Sequence, residues 1–116
     1  MNITPEALEE ALRVTPGQKR DQQLAFLEAE KVFNEVKLAY EVAQAVAIKN
    51  SNAKNATEKK ADAIIATEKE KKTLIDVEYN KNIEKAKYDF LSDKYISLRK
   101  IASIEIDLIK SNISGH

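Results

Sequence analysis

Between Tyr88 and Lys110 the apolar positions Tyr88, Leu91, Tyr95, Leu98, Ala102 and Ile109 recur at alternating spacings of three and four, interrupted only at Glu105. That spacing lines one side of an α-helix. Phe90, Ser97, Ile101, Ile104 and Leu108 form a second row beside the first, so the apolar face is wider than the seam a single partner helix covers. This is the most apolar stretch of the chain, and it needs more than one neighbour.

The upstream pattern predicts two helices. Thr4 is a good N-cap and Pro5 suits the first helical position, so a short helix is expected over 4–13, with Ala7, Leu8, Ala11 and Leu12 as its apolar stripe. The same signal recurs at Thr15 and Pro16, predicting a second helix over 16–49. Its pattern is a heptad with Ala29, Val36 and Ala43 at position a and Ala25, Val32, Ala39 and Val46 at position d. Phe26, Phe33 and Tyr40 then form an aromatic ridge at position e. The small a and d residues predict a close inner seam, with the ridge covering its flank.

Residues 49–57 are polar and poor in helix formers, which places a turn at 50–56. Asn55 followed by Glu58 resembles a capping box, and a long helix is expected over 57–112. Reversal near residue 52 pairs position i with roughly position 105 − i. The last helix would span about 80 Å against roughly 50 Å for its partner, so everything beyond about residue 90 projects past the start of that partner and only the short first helix can cover part of it. Either the long helix bends near Asn80 to Asn82 and folds into a compact bundle, or the projecting part pairs with copies of itself; the absence of a helix breaker favours self-association. The expected architecture is therefore a single all-α domain over 1–116: an elongated antiparallel helical hairpin, coiled-coil in character, with a short N-terminal helix. It is expected to form a homo-oligomer through Tyr88, Leu91, Tyr95, Leu98, Ala102 and Ile109.

Composition agrees with long helices: 116 residues contain two glycines and two prolines, and a third are charged. Nineteen basic and nineteen acidic residues cancel, which removes the global signature of a duplex-DNA binder. There is no cysteine, no basic-then-apolar leader and no long apolar run, so no membrane partner is expected and a cytoplasmic location is.

Catalysis is not expected. The only histidine, His116, is at the end of the chain, and no HExxH, phosphate-cradling glycine loop or Gly-x-Ser-x-Gly turn is present. Glu28, Glu35 and the run 68–70 lie beside lysines, as on a solvated helix face. Neither a metal nor a cofactor is expected. The charges that invite a function are basic. Residues 49–72 hold seven lysines against four acids, Lys59, Lys60, Lys71 and Lys72 among them. Residues 81–100 hold six basic residues, including Arg99 and Lys100, against three acids. These six named side chains are the candidate contacts to a phosphate backbone.

The segment from Glu78 to Ile104 resembles the C-terminal helix of small coiled-coil proteins of bacteriophage early regions, among them UvsY-type recombination mediators. The resemblance rests on Glu78-Tyr79, on Tyr88-Asp89-Phe90-Leu91 and on the run from Lys94 to Ile101. It implies an oligomeric accessory factor of DNA recombination or replication that binds single-stranded DNA or its protein coat and assists a recombination protein in the host cytoplasm. The competing expectation is an inhibitor of anti-CRISPR type, also of phage or mobile-element kind, that blocks a host protein complex by protein–protein contact.

Overall fold

The computed structural model describes residues 3–114. They form three helices in chain order, α1 (Pro5–Asn50), α2 (Ala56–Ala66) and α3 (Glu68–Ser114), and no strand occurs among the described residues. The fold is all-α, as the periodicity predicts.

Two of the helix boundaries differ from the expected ones. The first helix does not stop before Pro16: α1 is continuous over 46 residues with Pro16 inside it. A proline within a helix forfeits one backbone hydrogen bond and costs up to about 3 kcal/mol. What outweighs that cost is phase. The buried and half-buried positions Leu8, Leu12, Thr15, Lys19, Gln22, Phe26, Ala29, Phe33, Val36, Tyr40, Ala43 and Ala47 alternate at fours and threes with no skip at Pro16, which is exposed. A break there would put the first turns out of register with the seam.

That seam also corrects the heptad. Position a is as expected, but the inner partner of Ala29, Val36 and Ala43 is the aromatic ridge itself. Phe26, Phe33 and Tyr40 are half-buried, while Ala25, Val32, Ala39 and Val46 are exposed. The larger rings remove more area from water than alanine or valine, and they decide which face turns inward.

The second difference is at Thr67, where the expected continuous helix over 57–112 is interrupted. Thr67 leaves the helical region at φ −111° and ψ 19°. Its hydroxyl donates to the Ala63 carbonyl at 2.6 Å, beside its own N–H at 3.0 Å, and Lys71 N–H then bonds the Thr67 carbonyl at 2.9 Å. A buried threonine bonding back to residue i−4 is a known cause of helix bending.

The caps follow the sequence. Thr4 Oγ1 accepts from Ala7 N–H at 3.1 Å, and Asn55 Oδ1 accepts from Glu58 N–H at 2.8 Å. The turn is fixed by Ser51, whose hydroxyl donates to Asp62 at 2.7 Å and accepts from Ala53 N–H at 3.1 Å.

The chain divides into two compact units, one of Met1–Leu24 with Lys85–His116 and one of Ala25–Glu84. In the first, the opening turns of α1 lie antiparallel to α3, with Leu8 and Leu98 at 8% and 7% exposure as its buried leucines. Residues 91–102 therefore include positions packed on α1, whereas 103–112 are exposed, so the opening turns of a continuous α1 cover part of the expected overhang. In the second unit, Ala29, Ala63, Thr67 and Leu74 are buried. Tyr40 borders a cleft with Glu70 and Thr73, several residues further along than the 105 − i pairing gives.

Candidate interaction surface

The row expected to join copies of the chain is largely engaged within the first unit. Leu98 is buried, and Tyr88, Leu91, Tyr95 and Ala102 are half-buried at heptad spacing on α3. Their partners are on α1. Leu12 shares a groove with Tyr95, Arg99 and Ala102, Ala11 another with Leu98 and Ile101, and Lys19 reaches both tyrosine rings. Only Ile109 of that row is exposed, at 57%; it borders a groove of about 570 Å³ with Leu8, Leu12 and Ala102.

The second row is the one left open. Phe90 is 67% exposed, Ile104 58% and Leu108 55%, while Ile101 is half-buried. Beside it runs a groove of about 560 Å³, floored by Leu98, Ile101 and Ala11 and edged by Phe90, Ile3, Asp93 and Lys94. Alanine at position 11 keeps the α1 side of the floor low, which lets another helix approach closely. Exposed large apolar side chains arrayed at helical spacing mark a contact surface more strongly than the same residues scattered singly.

The candidate phosphate contacts fall into both units. Lys60, Lys71 and Lys72 are exposed and Lys59 half-buried on α2 and the start of α3; Arg99 and Lys100 are exposed on α3 in the other unit. Several cations are already placed over rings of the chain. Lys71 Nζ lies 5.2 Å from the Tyr40 centroid, and Arg99 Cζ 5.9 Å from that of Tyr95. Lys81 covers Phe33 at 4.0 Å, and Lys19 lies 5.8 Å from Tyr88 and 6.0 Å from Tyr95. Each such contact is worth about 0.5–2 kcal/mol, depending on how far it is desolvated.

Sequence reasoning overlooked Lys19 and took Thr15 for an N-cap. Both occupy seam positions that become visible only when the pattern of residues 25–47 is extended back through Pro16 to Leu8. Thr15 is 1% exposed, and its Oγ1 has no hydrogen-bond partner among the described residues. On the exposed side of the same helix, Glu10 accepts a hydrogen bond from Arg13, which together with its charge raises the Arg13 guanidinium above its usual pKa.

Among the described residues no three of His, Cys, Asp or Glu converge as a metal would require, and no helix is long and apolar enough to cross a membrane. His116 lies outside the described residues. Comparison with protein-family models, curated proteins and solved structures finds none that matches this chain.

Proposed function

We propose that this chain is a non-enzymatic binding protein that works by protein–protein contact, with the second apolar row of α3 and the groove beside it as its contact surface. The observation that carries this reading is the exposure of Phe90, Ile104 and Leu108 along one face of a helix whose neighbouring face is already packed. An apolar stripe next to a groove between two helices suits a helix laid into that groove, with anchors at spacings of three and four. Blocking a host complex by contact, as an inhibitor of anti-CRISPR type does, belongs to this class of action, and so does accessory assembly on a recombination protein.

Direct binding of single-stranded DNA has less support. It favours a continuous basic track with ring faces open for stacking on bases. Here nineteen basic residues are balanced by nineteen acidic ones, and Tyr40, Tyr88, Tyr95 and Phe33 each have a cation of the chain over or near the ring.

The test is site-specific photo-crosslinking in the native host or, where that is not accessible, in a cell expressing the full chain. A photoreactive side chain at position 104 should crosslink to protein, and one at the exposed Glu35 should not. Crosslinks from position 104 to nucleic acid alone, or no more protein adducts than from position 35, would refute the proposal.

A further inference from the structure

The partner that this surface fits can be read from the charges beside the second row. On α3, Lys94, Ser97, Ile101, Ile104 and Leu108 alternate at threes and fours, so they form a seam of their own next to the one that faces α1. On the side of this seam away from Leu98 and α1 run Asp93, Lys100 and Asp107, all exposed, at seven-residue intervals. In an antiparallel pair of helices, side chains at this flanking position meet their counterparts across the interface, so the order acid, base, acid selects a register.

Suppose α3 packs against α3 of a second copy. If the two-fold axis lies level with residue 99, Phe90 meets Leu108 of the second copy, but Asp93 meets Asp107 and Lys100 meets Lys100. All flanking pairs then repel. Moving the helices by one heptad, so that Ile101 meets Ile104 and Ser97 meets Leu108, removes these like-charge pairs: Lys100 of each copy faces Asp107 of the other, and Asp93 no longer faces a charge. Because a two-fold contact repeats itself, one lysine and one aspartate give two ion pairs. This register also centres the three branched residues Ile101, Ile104 and Leu108 and leaves Lys94 at the rim, where its charge remains in water.

We infer that the second row of α3 is the interface of an antiparallel homodimer, with Ile101 against Ile104 of the second copy and Lys100 paired with Asp107. The inference rests on the reading of this face as a protein-contact surface and names its occupant. It also moves self-association from the row of Tyr88, Leu91, Tyr95, Leu98 and Ala102, whose place is taken by α1, to the row beside it. Neutral net charge assists, since two copies carry no overall repulsion.

The experiment uses the full chain. Light-scattering mass at about 100 μM, a concentration suited to a small and partly polar interface, should be twice 13.1 kDa. Ile104→Asp should return the monomer mass with helicity unchanged, because residue 104 is exposed in the single chain. Lys100→Asp and Asp107→Lys should each weaken association about tenfold or more. The double swap should restore it, since the reversed pairs again attract.

The native chain has no cysteine, so a mixture of Ile101→Cys and Ile104→Cys chains reports the register. Mixed disulfides between the two variants should dominate. A monomer mass for the native chain, failure of the double swap to restore association, or a predominance of 101–101 disulfides would each overturn the homodimer. If the mass is monomeric while position 104 still crosslinks to another protein, only the occupant is wrong. If position 104 crosslinks to no protein, the contact-surface reading itself falls.

Discussion

Replacing Leu98 with alanine separates the packed row of α3 from the open one. Leu98 is 7% exposed, so the substitution withdraws three buried carbons. At about 0.8 kcal/mol per methylene that loss alone is roughly 2.4 kcal/mol. A cavity adds to it, at about 24 cal/mol per Å³ of space left unfilled, but the site can partly close. Leu98 floors an open groove in which Phe90 and Ile101 have room to settle toward the vacancy. The expected destabilisation is therefore about 2.5–3.5 kcal/mol, toward the lower part of the range for buried leucines. Ile104→Ala is the control. Ile104 is 58% exposed, and alanine is the better helix former, so the single chain should change by no more than about 0.5 kcal/mol. Urea unfolding followed by helical circular dichroism, at low micromolar concentration where association is weak, measures both. With a slope of about 1–1.5 kcal/mol per molar urea, Leu98→Ala should lower the midpoint by about 2 M and Ile104→Ala should hardly move it. Equal effects, or a loss below about 1 kcal/mol at Leu98, would refute the assignment of this leucine to the seam with α1.

Four further substitutions test the interior of the helices. Thr15→Val removes a buried hydroxyl that has no partner while keeping the side-chain shape, and should stabilise by about 1 kcal/mol. Thr67→Val removes the 2.6 Å bond to the Ala63 carbonyl and should destabilise by a similar amount, so opposite signs are expected in the same denaturation assay. Gly17→Ala, at a helical position where an added Cβ meets nothing within 4 Å, should stabilise by about 0.5–1 kcal/mol, and a lower midpoint would contradict the open space there. Lys19→Met keeps the apolar stem but removes the charge between Tyr88 and Tyr95. It should cost about 0.5–2 kcal/mol in high salt as in low, because screening acts weakly on a half-buried contact.

The all-α class, the Thr4 and Asn55 caps and the turn after Asn50 were legible because each depends on a few neighbouring residues. The continuity of α1 was not. Thr15-Pro16 is locally as good a start signal as Thr4-Pro5, and only the phase of the seam from Leu8 to Ala47 distinguishes a helix that begins from one that continues. That phase is a tertiary property, since it matters only when α3 is in place to read it. The interruption at Thr67 was hidden for the opposite reason. Threonine is common enough in helices, and its effect here comes from being 3% exposed, where its hydroxyl turns to the Ala63 carbonyl instead of to water.

The assignment of faces follows from the same distinction. On α1 the smaller Ala and Val residues made an orderly a/d seam, yet Val46 is 51% exposed and Phe26, Phe33 and Tyr40 are inside. Two apolar rows one residue apart are equivalent by periodicity, and the area each removes from water decides between them. On α3 that comparison has no clear winner, because the row of Leu98 and the row of Ile104 are both rich in large side chains. A single chain supplies one neighbour for this segment and the width of the face calls for two. The row that meets α1 is fixed by register, through Lys19 between its tyrosines and Leu12 beside Tyr95 and Ala102. The remaining row keeps its area exposed, with the alternation of Asp93, Lys100 and Asp107 along its edge. Width of the apolar face thus indicates how many neighbours the helix can hold, while the sign pattern beside it is what sets the register of the proposed homodimer.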